Sequence, residues 1–267
     1  SCPILEEILL ELNKPTRIIT MYFNKLAACC VIAAVPGLAS ADVLSFTIGG
    51  GVWNETPEGG INNIIDPTSV DVKNQLFWSE ESQGYLFATL EHPIPILPNV
   101  RLMYTSLDHS GNGDTGLGFD FDGESFSGNI ANDFSIEQTD LLFYYEVLDN
   151  VVSLDLGLNV RLLDITYSIA DENGINTNGS VSGAVPMVYG LVGGSPWPGV
   201  LISAEANYMA YSGSTLSDFN AKISYTTDFF VGFEAGYRTQ TIELDDVDDT
   251  NANLDFKGPF IGAYVKF

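Results

Sequence analysis

The C-terminal segment Leu254–Phe267 alternates with period two, and the chain closes on an aromatic residue. The side chains of its apolar face are, in order, Ile261, Ala263, Val265 and Phe267. Such alternation predicts a β-strand with one apolar face. A strand of this kind that ends on an aromatic residue is typical of the last strand of a bacterial outer-membrane β-barrel, where the apolar face meets lipid. We therefore expect Phe267 to act as the insertion signal of such a barrel.

The N-terminal part has the features of an export signal. Met21 opens a segment with Lys25, an apolar run from Leu26 to Leu38, and the small residues Ala39-Ser40-Ala41. This order predicts a cleaved signal peptide at residues 21–41, an upstream or mis-started segment at residues 1–20, and one barrel domain at residues 42–267. The apolar run is too short to cross a bilayer as a helix.

Charge and cysteine content exclude several classes of function. The sequence has 35 acidic residues against 10 Lys and Arg, a formal net charge of −25. So acidic a chain is not expected to bind nucleic acid. The three cysteines, Cys2, Cys29 and Cys30, all precede residue 42. The expected mature chain therefore has no disulfide, thiolate metal site or cysteine nucleophile.

Ten segments of the expected mature chain show period-two alternation between turn signals. They predict an all-β, transmembrane, antiparallel up-and-down barrel of about ten strands, with eight or twelve as alternatives. The segments are Val43–Trp53, Tyr85–His92, Asn99–Leu107, Phe134–Leu148, Val152–Leu162, Val181–Val192, Val200–Tyr211, Leu216–Thr226, Phe229–Leu244 and Leu254–Phe267.

The connectors alternate between short and long. Outer-membrane barrels have short periplasmic turns and longer external loops. The short connectors are Pro93–Pro98, Asp149-Asn150, Gly193–Gly199 and Thr227-Asp228. The connectors predicted to be external are Asn54–Gly84, Asp108–Asp133, Asp171–Gly179, Ser212–Thr215 and Asp245–Asn253. Val70–Trp78 could form an extra strand, which we place in the first external loop or as an extension of the second strand.

Two irregularities are expected within the strands. After Leu162 the apolar phase moves by one residue to Ile165, Tyr167 and Ile169, which predicts a β-bulge or the point where the strand leaves the membrane. Pro186 cannot donate a hydrogen bond to a sheet, so we expect an irregularity there as well.

Charged residues recur on the polar face of the predicted strands. A charge on the lipid face costs about 2–4 kcal/mol at the bilayer midplane, so these side chains should face the lumen and pair with one another. We expect Arg161, Arg238, Lys222 and Arg101 to pair with Asp155, Glu234, Glu205 or Asp140. The predicted lumen network is Arg101, Asp140, Glu146, Asp155, Arg161, Glu205, Lys222, Glu234 and Arg238.

Three stretches resemble a family of small Gram-negative outer-membrane barrels of unassigned function, the Gly-Gly outer-membrane proteins. They are Ile48–Trp53, with its Gly49-Gly50-Gly51 run, Glu91–Arg101, and Gly258–Phe267. The resemblance implies a fold and a location in the bacterial outer membrane. It supplies no catalytic residue.

Candidate chemical sites are few. His109 lies in a predicted external loop beside Asp108 and Ser110, where it could serve a barrel hydrolase such as a protease or a lipid-acting enzyme. His92 precedes Pro93 at a predicted periplasmic turn. Asp108, Asn112 and Asp114 have the spacing of half an EF-hand loop, but Phe119 replaces the required glutamate, so the stretch predicts at most weak divalent binding.

The sequence therefore predicts a porin-like but non-enzymatic barrel, with a structural, narrow-channel or ligand-binding role and no cofactor or resident metal. The inward long side chains favour a partly plugged lumen over an open pore. The expected partners are outer-membrane lipid and lipopolysaccharide, with periplasmic chaperones and the barrel-assembly machinery during biogenesis. The less favoured alternative is the hydrolase that uses His109.

Overall fold

The structure is a computed structural model, and it describes residues 44–63, 68–149, 151–247 and 250–267. The predicted upstream segment and signal peptide lie outside the described residues. Within the described ranges, no helix is long and apolar enough to cross a membrane.

The described chain consists of β-strands joined by turns. Ten strands form one closed antiparallel sheet, because β13 pairs with β1 from Thr47↔Lys266 to Asn63↔Thr250. The strands are β1 Ser45–Asn63, β2 Val70–Asp71, β3 Glu81–Glu91, β4 Asn99–Asp114, β5 Phe119–Phe121, β6 Glu124–Phe126, β7 Asn129–Asp149, β8 Val152–Asp171, β9 Asn176–Trp197, β10 Val200–Tyr211, β11 Ser214–Thr226, β12 Val231–Val247 and β13 Thr250–Lys266. The two-residue strand β2 and the β5–β6 hairpin are additions to the ten-stranded barrel, which confirms the predicted fold class.

The two ends of the barrel differ. The end that carries the start of β1 and the end of β13, here the terminal end, has turns of no more than seven residues between successive strands. The opposite end, here the loop end, carries the two longest connections, which include β2 and the β5–β6 hairpin. Because outer-membrane barrels keep their short turns in the periplasm, we assign the terminal end to the periplasmic side.

Phe267 completes the closure of the barrel. Its N–H donates to the carbonyl of Phe46 at 2.8 Å, and the N–H of Phe46 donates to its carbonyl at 3.1 Å. Its ring points outward and stacks on Phe46 with a centroid distance of 6.5 Å. The C-terminal residue thus lies on the lipid-facing side of the seam.

The outer surface changes character along each strand. On β4 the outward side chains run from the apolar Leu102 to the interfacial Tyr104 and then to the polar Asp108. On β8 they change from Leu162 to Asp164. About 9–11 residues suffice for a tilted strand to cross a bilayer, so strands of 16 and 20 residues extend well above the lipid.

The connectors predicted as long external loops are in large part strand. Asp108–Asp114 continues β4, and Asn129–Asp133 begins β7, so the predicted loop 108–133 shrinks to residues 115–128 around a small hairpin. The prediction was wrong there because Asp, Ser, Asn and Gly favour turns in isolation, whereas pairing with neighbouring strands satisfies their backbone groups.

No bulge interrupts β8 after Leu162. The pairing of β7 with β8 continues in one register from Glu146↔Asp155 to Ile130↔Asp171. Leu163, Ile165 and Ile169 face inward, in the same phase as Arg161. The predicted β-bulge was wrong. The alternative, that the strand leaves the membrane after Leu162, agrees with the outward side chains, which change from Leu162 to Asp164, while the interior itself becomes apolar towards the loop end.

This loop-end interior is a hydrophobic core like that of a soluble protein. It is continuous with the segment after β1: β2 pairs with β1, and the following residues turn into the barrel instead of forming a further strand. Val72, Leu76 and Trp78 are almost completely buried there. The core comprises, among others, Ile61, Val72, Leu76, Trp78, Leu107, Phe126, Ile130, Phe134, Ile136, Ile169, Leu216, Ile242, Leu254 and Phe256.

Pro186 shows the expected irregularity on one side of β9 only, where the pairing with β10 ends before it. It pairs with Val160 of β8 in an unbroken register, while β10 pairs with β9 only as far as Val188. Residues 176–187 therefore have a sheet neighbour on one side only, and proline is tolerated on such an edge.

Candidate functional site

The middle of the lumen is occupied by a buried layer of ion pairs centred on Asp218. Nη2 of Arg161 and Nη2 of Arg238 each lie 2.6 Å from Oδ2 of Asp218. Arg161 also donates two hydrogen bonds to Asp140, at 2.8 and 3.0 Å. All four side chains are at least nine-tenths buried. Hydrogen-bonded arginine–carboxylate pairs of this kind offset the cost of burying charged groups in the barrel interior.

An aromatic platform closes this layer on one side. The guanidinium of Arg238 lies 4.6 Å from the centroid of a Trp53 ring, within the range of a cation–π contact. Trp53 is fully buried, and its Nε1 donates to the carbonyl of Gly258 at 3.2 Å. The lumen is thus filled across its width at this level by long side chains from opposite walls.

A second set of pairs lies nearer the terminal end. Arg101 donates to Glu205 at 2.9 Å, and Lys222 donates to Glu234 at 3.0 Å. The hydroxyl of Tyr85 also donates to Glu234 at 2.8 Å. Each of the two cations in this set therefore has its own carboxylate partner.

Glycines in β1 and β13 make room for the Tyr85 ring. Gly51 and Gly262 face inward, and a Cβ at either position would overlap the Tyr85 hydroxyl. Their lack of a side chain leaves room for the Tyr85 hydroxyl, which donates to Glu234.

Below the second set of pairs, a cavity of about 300 Å³ opens at the terminal end. We call it the vestibule. Its inner end is formed by Arg101, Lys222 and Glu234, and its mouth carries Glu91 and Lys266, which pair at 3.1 Å. Its wall also includes Glu146, Asp149, Asp155, Ser203 and the rings of Tyr144 and Tyr189.

His109 lies inside β4 and not in a loop. Its side chain is 1% exposed and is stacked between Trp78, at a centroid distance of 4.9 Å, and Phe256, at 5.6 Å. Its Nε2 lies 2.9 Å from Oε1 of Glu55, which is fully buried, although the orientation is not that of a hydrogen bond. The predicted loop position was wrong because β4 continues through His109 and turns its ring into the core.

The other predicted residues are spread over the fold. Arg101, Asp140, Arg161, Glu205, Lys222, Glu234 and Arg238 lie in the two ion-pair sets. Glu146 and Asp155 lie in the vestibule and pair with no cation of the described chain, so the expected pairing of Asp155 with an arginine or lysine was wrong. His92 lies at the terminal end, with Nε2 3.1 Å from the carbonyl of Pro98.

The weak metal candidates lie on β4 and not in a loop. Asp108 accepts hydrogen bonds from Ser106 and Ser135, and Asp114 accepts one from the N–H of Gly116. Asn112 faces outward on the same strand.

The sequence analysis did not identify Asp218 as the centre of the lumen layer. The available signal was the period-two alternation of Leu216–Thr226, which places Asp218 on the polar face of the strand, next to the apolar Phe219.

Comparison with known proteins supports the fold. No protein-family model and no curated protein matches the chain. The outer-membrane protease OmpT of Escherichia coli has a similar structure, with a TM-score of 0.50 and 11% identity over 86% of this chain and 99% of OmpT.

Two further structures are less similar. Ail of Yersinia pestis gives a TM-score of 0.38 and 11% identity over 84% of this chain and 99% of Ail. The toluene transporter TodX of Pseudomonas putida gives a TM-score of 0.31 and 8% identity over 85% of this chain and 90% of TodX. The OmpT likeness supports the closed antiparallel barrel fold.

Proposed function

We propose that this protein is a non-enzymatic outer-membrane barrel that binds a small ligand in its vestibule and does not conduct solutes. The observation that carries this proposal is the filled lumen. A hydrophobic core occupies the loop end, and the buried layer around Asp218 lies below it. A hydrated solute would have to break both to pass. The vestibule below them is a blind cavity of a size that pockets for small molecules have.

Planar-bilayer recording tests the closed lumen. Residues 42–267, refolded and inserted, should give no discrete conductance steps in concentrated potassium chloride, whereas an open porin under the same conditions should give them. Regular steps from the purified barrel would contradict the proposal.

The surroundings of the barrel follow from its outer face. We propose that lipid contacts the apolar band below Tyr104, and that lipopolysaccharide surrounds the strand extensions above it. The exposed C-terminal Phe267 is the expected recognition point for the barrel-assembly machinery. We also propose that the chain belongs to the Gly-Gly family of outer-membrane proteins and that residues 21–41 are removed as a signal peptide.

A hydrolase that uses His109 is the less favoured alternative. A histidine with an acid 2.9 Å away could act as a general base. The rings of Trp78 and Phe256 cover its two faces, however, and leave its side chain almost without exposure. Hydrolysis of peptide, ester or phospholipid substrates by the refolded barrel, abolished in His109→Gln, would favour this alternative.

A further inference from the structure

The barrel wall is incomplete between β9 and β12 at the loop end. Within the described ranges, β10 pairs with β9 only as far as Val188, although β9 begins at Asn176. In the same way, β11 pairs with β12 only as far as Glu243, although β12 continues to Val247. The ends of β9 and β12 therefore extend past the β10–β11 hairpin on its two sides. We call the gap between them the notch.

An apolar cavity of about 70 Å³ lies behind the notch. β9 contributes Val181 to its lining and β12 contributes Leu244 and Val247, whereas no described residue of β10 or β11 lines it. These three side chains face inward but remain partly exposed, while Ile136 and Ile242, which also line the cavity, are almost completely buried. The exposure on the side of β9 and β12 indicates that the cavity opens through the notch.

The β5–β6 hairpin covers the cavity at the loop end. Phe121 lines the cavity and is 5% exposed. The neighbouring Asp122 accepts hydrogen bonds from the hydroxyl of Thr177 at 2.7 Å and from that of Tyr167 at 3.4 Å. These contacts hold the hairpin on β8 and β9, above the cavity and beside the notch.

A bulge in β12 adds one of the apolar side chains at the opening. The register of β12 and β13 shifts between Leu244 and Val247. Both side chains line the cavity although they are three positions apart, which a regular strand with alternating faces would not allow. Bulges commonly re-aim a side chain in this way at functional positions.

The cavity favours a slim, uncharged, aliphatic ligand. Apart from Thr250 and Tyr167, hydrocarbon side chains line it, and apolar cavities stay dry and bind apolar molecules. Its volume is about half of the roughly 150 Å³ that holds a benzene molecule, so it fits the end of an alkyl chain better than a ring. Glu243 and Asp245 of β12 lie beside the notch and would repel an anionic head group.

The notch lies above the lipid. Ile165 lines the cavity and pairs with Val181, while the outward neighbours of Ile165, Asp164 and Thr166, are polar. The outer surface at this level thus differs from that at the lipid-facing Leu162. A ligand would reach the notch from outside the cell and not from the acyl chains of the bilayer.

We propose that the cavity behind the notch binds the chain end of a small, uncharged alkyl compound of the medium-chain alcohol class. This site is separate from the vestibule and goes beyond the proposed function.

Photoaffinity labelling in phosphatidylcholine nanodiscs tests the site. The probe is octanol that carries a diazirine near the end of its chain, and mass spectrometry maps the labelled residues of the refolded barrel 42–267. We expect saturable labelling within residues 176–187 of β9 and at the end of β12, with competition by unlabelled octanol. Adamantanol, an alcohol with a rigid cage, should not compete, because the cage is too wide for the cavity.

Two matched variants locate the binding. Val181→Phe should fill the cavity and weaken saturable labelling at least about tenfold, the factor expected when about two methylene groups lose their apolar contacts. Val188→Phe is the control, because it makes the same change on the same strand at an exposed outward position. It should alter the affinity for the probe by less than about twofold. Val181→Met adds less volume and should give an intermediate loss, which keeps the test decisive if phenylalanine prevents folding.

A second probe distinguishes a free alcohol from a membrane lipid. Phosphatidylcholine with a diazirine near the end of one acyl chain should label the apolar band below Tyr104 and leave the cavity unlabelled. Four results would overturn the proposal: no saturable labelling at the notch, equal labelling in Val181→Phe and Val188→Phe, competition by adamantanol, or labelling of the cavity by the lipid probe.

Discussion

Asp218 is the residue on which the middle layer of the lumen depends. Among the described residues, Arg238 has it as its only carboxylate partner, whereas Arg161 also has Asp140. We expect Asp218→Asn to lower the free energy of unfolding by about 3–5 kcal/mol, the usual cost of leaving one charge of a buried pair without its partner. Urea unfolding in detergent, followed by tryptophan fluorescence, measures the change.

The matched control for this change is Asp164→Asn, at an exposed outward position. It should leave the unfolding midpoint nearly unchanged. An Asp218→Asn barrel as stable as the wild type would show that the layer fills the lumen without stabilising it.

Glu58 makes the stability of the barrel depend on pH, through contacts in the part that lies above the membrane. Hydrogen bonds from Lys257 and then from Lys73 lower the pKa of Glu58 below its ordinary value. A lowered folded-state pKa contributes stability above the unfolded-state pKa, and this contribution is lost as the pH falls through the lowered value. Glu58→Gln should therefore lower the melting temperature slightly at neutral pH and not at strongly acidic pH.

Melting curves of the wild type and Glu58→Gln between about pH 3 and pH 7 test this sign. Glu124→Gln, at an exposed position in the β5–β6 hairpin, is the matched control for the loss of one exposed carboxylate. A Glu58→Gln deficit that grows as the pH falls would contradict the prediction.

At the residue scale, alternation revealed which charges turn inward but not which would pair. Arg161, Arg238 and Asp140 could be placed in the lumen because a charge on the lipid face is costly. Their partners depend on the register between strands far apart in sequence, such as β8 and β11, which period-two alternation does not contain. Asp218 was missed for this reason, and Asp155 was given a cation that the register places elsewhere.

The segment after β2 is the element that closes the loop end. Trp78 donates from Nε1 to Oδ1 of Asn132 at 2.8 Å, and Asn132 donates to the carbonyl of Leu76 at 2.8 Å. Leu76 is 1% exposed. Leu76→Ala should cost about 2–5 kcal/mol of stability, as expected for a cavity in a packed core.

Leu117→Ala is the control for this element, because Leu117 is fully exposed in the β4–β5 connection. It should not change the unfolding midpoint. Equal small effects of the two changes would mean that the segment lies loosely in the barrel mouth. Conductance should stay absent in Leu76→Ala, since the layer around Asp218 remains in place.

The elements themselves were largely visible in the sequence, and their lengths were not. Each predicted strand core falls within or largely overlaps a barrel strand, because lipid on one side and a lumen on the other enforce the period of two. Above the membrane that constraint disappears. There, Asp108–Asp114 was predicted as a loop. Of the two interpretations of the apolar shift in β8, a bulge or the point where the strand leaves the membrane, only the second agrees with the unbroken register.

For the whole molecule, three layers of different chemistry lie along one barrel axis: an apolar core, a layer of ion pairs and a water-accessible acidic vestibule. The core needs the strands to extend beyond the bilayer, because the bilayer-spanning length is occupied by the charged layer and the vestibule. The access that a ligand has to the vestibule thus depends on which end of the barrel faces the periplasm.

Single-cysteine labelling tests this orientation. The expected mature chain has no cysteine, so a charged maleimide reports only on the introduced site. Leu117→Cys, at the loop end, should be labelled on intact cells. Ile96→Cys, in the β3–β4 turn at the terminal end and also highly exposed, should be labelled only after the outer membrane is permeabilised. The reverse pattern would place the vestibule at the cell surface, where its ligand would come from the medium and not from the periplasm.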